Sequence, residues 1–532
     1  MPRPATSFVV AFACALASAA GAGAQGRGGA EWTTIGNDAQ RSSWVRSDPK
    51  ISSDSMQKPG FQFLWKIKFE NEARQWNALT PAILMDRFIG HRGFRSYAFI
   101  GGSSDNVFAV DTDLGRIEWQ NHYPAAPASQ AASPDCPGGI TTALTRPTTT
   151  ALPVAMAGRG GGFGGRGGPA KSGVGEPGQG AVTLAEVGQG RGGRGAFPDV
   201  PPGGRGAPGA ARGGGGGGFG RTPAVTYALT SDGMLESVYV SNGADSEAPM
   251  KFLPANANPQ GLIVVDSVAY TTTSHGCGAA PDGVWALDLA SKVVTTWKAA
   301  GSAPVGSAGP AFGPDGTLYV ATARGEAALS ALEPKTLKRK DWYSAGADFT
   351  SSPVVFDYKD KILVAATTKD GRVHLLDAAS LGGASHQTPL FQTAADSRAA
   401  NYDAGALASW QDSGGTRWLL VPTPGALVAW KVVDQNGTPT LQPGWVSRDL
   451  VSPLTPMIVN GVVFAVSSGD RQPRTANAVL YALDGATGKE WWNSGNTIGS
   501  FVHGGGLSGG ASQLYLGTHD GTLYAFGFYI EH

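Results

Sequence analysis

The chain has 532 residues with 41 Lys and Arg against 41 Asp and Glu, a formal net charge of zero, which excludes an overall electrostatic pull toward nucleic acid or an anionic membrane. Its 78 Gly and 35 Pro accompany abundant Val, Thr, Tyr and Trp, a mixture suited to short strands and tight turns rather than long helices. That length allows one large repeat domain or several small ones.

Residues 1–24 read as a secretory signal, with Arg3 at the start, an apolar stretch from Phe8 to Ala20, and Ala22-Gly23-Ala24 before Gln25. The stretch is too short to span a bilayer and no later one is long enough, so no transmembrane segment is expected. Cys14 lies inside the apolar stretch beside Phe12, which does not fit a lipoprotein signal. The expected location is the periplasm or the cell exterior. Residues 25–60 read as an N-terminal extension. Phe61 to Phe69 then alternates apolar and polar residues as a strand does, and carries Trp65.

From Val107 onward a segment close to apolar-Tyr-Ala-Leu-Asp-x-x-x-Gly-Lys-x-x-Trp recurs about every 45–50 residues, the period of a propeller blade. Copies run from Val107 to Trp119, Val284 to Trp297, Leu329 to Trp342 (with Glu333 in the Asp position), Val373 to Phe391, Leu427 to Trp445 and, most clearly, Leu480 to Trp491. Such a repeat is one small sheet copied around a ring, because no copy can bury both its faces alone. With the repeat taken as strand C, the C–D turn and strand D, blade one spans Thr80–Trp119 and blade two Ile140–Leu253. Blades three to seven follow as Gly261–Trp297, Pro304–Trp342, Ser351–Phe391, Ala404–Trp445 and Thr455–Trp491. Blade eight starts near Phe501 and ends at Leu523–Phe526 without a strand D, which residues 61–69 are placed to supply. The expected fold is therefore all-β, an eight-bladed β-propeller of four-stranded antiparallel blades over residues 61–532, its ring closed by an N-terminal strand. In the motif, Asp and Gly shape the C–D turn and the small Ala lets a neighbouring Trp lie flat.

Blade two holds an insert. Residues 156–222 are rich in Arg and Gly, with too few bulky apolar residues to offset the entropy of ordering, so disorder is expected there. It falls between an expected strand A, Ala143–Leu152, and strand B, Val225–Leu229. Arg-Gly-Phe composition can bind single-stranded nucleic acid, but export removes such partners and a surface tether is the expected role.

The repeat, with the entry Trp32-Thr33-Thr34-Ile35-Gly36-Asn37-Asp38, resembles the tryptophan-docking repeat of the quinoprotein alcohol dehydrogenase-like superfamily, whose propellers include enzymes dependent on pyrroloquinoline quinone (PQQ) and a non-enzymatic assembly lipoprotein. The resemblance covers nearly all of the chain after residue 30 apart from the insert. It implies PQQ with Ca²⁺ in a central funnel on the face shared by the B–C and D–A loops. That face is expected to hold Cys136, His275, Cys277, Asp348, Thr350, Asp403 and His503, with Arg146 on the inner strand of blade two. Asp348 and Asp403 are the candidate proton acceptors; Arg146, His275, His503 and Thr350 are the candidate cofactor contacts. Cys136 and Cys277, one blade apart on an exported chain, are expected to form a disulfide, with a metal pair including His275 as the rival. The adjacent-cysteine disulfide usual beneath the quinone is missing, as is any Cys-x-x-Cys-His haem site. No carboxylate cluster for calcium is assignable. Gly506-Leu507-Ser508-Gly509-Gly510 matches a hydrolase elbow, but a propeller strand is the wrong context for one. Two functions follow: an oxidoreductase acting on an alcohol, polyol or sugar, or a binding or scaffolding propeller that takes a small molecule or a protein partner without the cofactor.

Overall fold

Each copy of the repeat folds as the outer half of a small antiparallel sheet, and the computed structural model contains eight such blades. It describes residues 31–90, 93–127, 132–152, 224–469, 476–504 and 506–529. The expected signal at 1–24 and the insert at 156–222 lie outside the described residues. Among the described residues no helix is long and apolar enough to cross a membrane.

Blade one is a four-stranded meander of Ile83–Gly90, Gly93–Gly102, Asn106–Asp111 and Arg116–His122. Blades five and six repeat that plan, and in blade four the inner strand is split into Ala303–Pro304 and Ala311–Phe312, both pairing with Leu318–Ala323. In blade eight, Gln62–Lys68 pairs antiparallel with Thr522–Gly527, so among the described residues the first long strand lies beside the last. Blades three and seven each gain a short parallel strand on the inner edge, Pro147–Thr148 against Val264–Val265 and Trp44–Val45 against Ile458–Val459.

Four strands per blade is thus not uniform, and blade two departs most. Its sheet has three strands, Val225–Leu229, Met234–Tyr239 and Met250–Lys251. The strand A expected over Ala143–Leu152 is reduced to one bridge, Thr145 to Tyr227, because the chain then crosses to pair with blade three. Pro147 has no N–H to donate to a continuing ladder, which favours the departure at that point.

The repeat residues explain how blades dock. Trp65 Nε1 donates to Thr112 O of blade one, Trp119 Nε1 to Val240 O of blade two, and Trp445 Nε1 to Gly485 O of blade seven. Each indole covers the C–D turn of the following blade, where Gly115, Gly243 and Gly488 adopt positive φ and a Cβ would come within 2.7 Å of the ring. The repeat Asp makes those turns: Asp111 Oδ1 accepts from the N–H groups of Asp113 and Leu114, and Asp288 Oδ1 from those of Ala290 and Ser291.

Residues 32–48, expected as part of an extension, are instead built into the propeller. Main-chain N–H groups of Leu84, Arg146, Phe312, Val355, Ser409 and Ile458 donate in turn to the carbonyls of Trp32, Thr33, Ala39, Gln40, Ser42 and Ser43. Thr34 Oγ1 donates to Leu262 O, and Ser512 N donates to Asp48 Oδ2. The belt therefore bonds to blades one through eight in order. It satisfies inner-edge groups that would otherwise be buried without partners. At its centre the wholly buried Arg41 donates to Pro310 O, Gly261 O, Ile35 O and Thr34 Oγ1. Burial pulls its pKa down to about 9, with Asp38 opposing.

Candidate functional site

In each blade strand B runs toward the face where the B–C and D–A loops meet. On that face the inner ends of the blades surround a funnel of about 640 Å³. Its walls include Thr80, Thr141, Gln260, Ser307, Thr350 and Asp403, whereas the belt bonds Leu84, Arg146, Leu262, Phe312, Val355 and Ser409, each a few residues further along its strand. The belt is the floor of the funnel.

Of the residues singled out from the sequence, His275, Asp348, Thr350, Asp403 and His503 line this funnel. Arg146 does not. Its side chain turns to Glu31, 3.0 Å away, and its N–H is committed to Thr33 O, both at the level of the belt. Strand position explains this: Arg146 lies beyond Thr141, the blade-two residue that reaches the funnel wall.

A disulfide joins Cys136 to Cys277, with Cα atoms 5.5 Å apart. It ties the connection between blades one and two to the B–C loop of blade three. Both segments contribute to the wall through Pro134, Pro137, Ser274 and His275. The tie matters because His275, Gly276, Gly278 and Ala279 all have positive φ, a strained run for the non-glycine members. The imidazole Nδ1 of His275 lies 3.2 Å from Arg324 Nη2 and 3.8 Å from Asp135 Oδ2.

Arg324 and Lys369 are the funnel cations that the sequence reading missed. Arg324 follows strand Leu318–Ala323 and Lys369 follows Lys361–Thr367, so each opens a B–C loop as His275 does after Val268–Thr273. Comparing the same repeat position across blades was the signal available. The two cations bracket Asp348: Arg324 N donates to Asp348 Oδ1, and Lys369 N donates to Asp348 O, both at 2.8 Å. Asn401 N in turn donates to Lys369 O, and Gly405 N to Asp403 Oδ1. These main-chain bonds orient both carboxylates. Thr350 Oγ1 is 3.1 Å from Thr367 Oγ1. Across the funnel, the ring of His503 lies 5.5 Å from that of Trp76.

The polar lining is therefore two basic side chains, two histidines, two oriented carboxylates and the amides of Asn258, Gln260 and Asn401, the amide N–H groups of Asn77 being spent on Gly138 O and Ile140 O. This suits a polyoxygenated molecule that can use both donors and acceptors. Among the described residues no group of three or more His, Cys, Asp or Glu is arranged to hold a metal ion.

No protein-family model matches this sequence, and no curated protein matches it. Solved structures do. The quinohemoprotein alcohol dehydrogenase from Comamonas testosteroni is 13% identical with a TM-score of 0.52, covering 94% of this chain and 81% of that one. A europium-containing methanol dehydrogenase is 10% identical with a TM-score of 0.53, covering 94% and 98%. A quinohemoprotein alcohol dehydrogenase from Pseudomonas putida HK5 is 11% identical with a TM-score of 0.50, covering 94% and 81%. At these identities the likeness is one of fold: the chain shares the eight-bladed propeller architecture of these three dehydrogenases.

Proposed function

From the propeller fold it shares with quinoprotein alcohol dehydrogenases, we propose that the chain is an exported oxidoreductase, working in the periplasm or outside the cell, that oxidises an alcohol, polyol or sugar in its funnel. The observation that carries the reading is the meeting of Asp348 and Asp403 with Arg324, Lys369 and His275 in one cavity. The cations and amides fit the carboxylates and ring oxygens of PQQ. The carboxylates fit calcium poorly, since Asp348 Oδ1 and Asp403 Oδ1 already accept main-chain N–H bonds and no third acidic group joins them among the described residues. No step is therefore assigned to a metal.

When bound, PQQ supplies the two-electron acceptor for a hydride. Arg324 and Lys369 would hold its negative charge, and His275, on the disulfide-tied loop, orients Arg324. Asp403 or Asp348 takes the hydroxyl proton, as a general base within reach of the bound alcohol must.

Thermal melting and absorbance with micromolar PQQ test this directly, because a ligand of the native state raises the melting temperature by mass action. The expected result is a rise in melting temperature, a changed quinone spectrum and dye reduction with an alcohol or sugar. Asp403→Asn or Asp348→Asn should abolish dye reduction while keeping the thermal shift. No thermal shift and no spectral change would overturn the cofactor reading and leave a non-enzymatic binding or scaffolding propeller.

A further inference from the structure

The connection from blade five to blade six is a wall with two sides. Asn401 and Asp403 face the funnel, whereas Tyr402 and Ala404, the residues between and after them, face a second cavity of about 440 Å³. That chamber lies between blades five and six on the same side of the ring. Thr350 touches both spaces.

The two compartments differ in chemistry. The hydroxyls lining the chamber are already taken up within the protein. Thr350 and Thr367 pair with each other, Thr368 bonds Asp370 and His374, and Thr393 donates to Ala394 O. Thr423 donates to Ala426 O, and Tyr402 to Pro453 O. At the rim Asp396 and Arg398 neutralise each other at 3.1 Å. What remains for a ligand is mainly carbon, from Val373, Val421, Val428, Pro443 and the rings of Trp430 and Tyr402, with the indole N–H of Trp430 as a polar point. Val446, 63% exposed, also lines the space and leaves an apolar surface open to solvent. A charged or strongly polar ligand would lose more hydrogen bonds to water there than the chamber returns. An apolar cavity of about 150 Å³ holds one benzene ring, so this one has room for about three rings.

We propose that the chamber is a second binding site, separate from the funnel, for a neutral apolar small molecule of about three fused or linked rings. It needs no cofactor and does not rest on the oxidoreductase reading.

The neutral fluorophore N-phenyl-1-naphthylamine has this size and polarity. Its emission rise on titration into the full chain should saturate at one molecule per chain. Val428→Trp and Ala399→Trp each fill the chamber from a different wall, and each should weaken binding at least tenfold while melting stays cooperative. Two variants guard against one failing to fold. Lys369→Ala, on the funnel side, should bind the probe as the parent does. Three results would overturn the proposal: no saturable binding up to the solubility limit, binding unchanged in both filled variants, or binding lost in Lys369→Ala and kept in the filled variants.

Discussion

Glu236 shows how a single residue sets a pH dependence. It is 6% exposed on the middle strand of blade two, and burial first, then Asp232 and Asp245, push its pKa from 4.5 up to about 7. The folded form therefore binds the proton more tightly than the unfolded chain. The associated stability is fully present below about pH 4.5 and is lost as pH rises through about 7. Glu236→Gln should raise the melting temperature at pH 8 and leave it close to the parent at pH 5; equal shifts at both would contradict this cause. Arg41 is the opposite case, a buried charge satisfied by three carbonyls and a hydroxyl. Arg41→Ala strands those acceptors and should cost about 2–4 kcal/mol in urea unfolding. Neither residue was legible in the sequence. Glu236 belongs to no motif, and the partners of Arg41 are mostly main-chain atoms, two of them in blades three and four. The placement of Asp348, Asp403, His275, Thr350 and His503 on the funnel wall was legible because loop position in a repeat fixes the face, whereas Arg146 lies deeper along its strand, at the level of the belt.

At the scale of the element, the unit is a tryptophan on a glycine turn of the next blade. Its pattern is periodic, so the blades and their order are legible in the sequence itself. In Gly488 the two demands coincide, since φ is +72° and a Cβ would come 2.4 Å from the Trp445 ring. Gly488→Ala should destabilise by about 2–3 kcal/mol, more than the roughly 1 kcal/mol of positive φ alone. The double variant Gly488→Ala with Trp445→Leu should lose less than the sum of the two single changes. Strictly additive losses would mean that the ring and the turn are not coupled. Blade two resisted the same reading because its inner strand is handed to blade three, and a two-residue parallel contact at Pro147–Thr148 leaves no periodic trace.

Across the whole propeller, two N-terminal segments bond to the blades. The strand Gln62–Lys68 pairs with Thr522–Gly527, and the belt at residues 32–48 touches every blade. The first device was legible, because the last blade lacked a strand and an alternating segment was spare. The belt was not, because it acts mainly through its backbone, which any sequence could supply. The belt also sets the depth of the funnel, in which PQQ is proposed to bind. Hydrogen exchange of the full chain with and without PQQ tests that claim most directly. The account predicts slowed exchange in the loops at 274–279, 324–326, 348–350, 369–371 and 401–405, with the outer strands and the C–D turns unchanged. Slowed exchange confined to the outer strands or the C–D turns, or none at PQQ concentrations that raise the melting temperature, would contradict it.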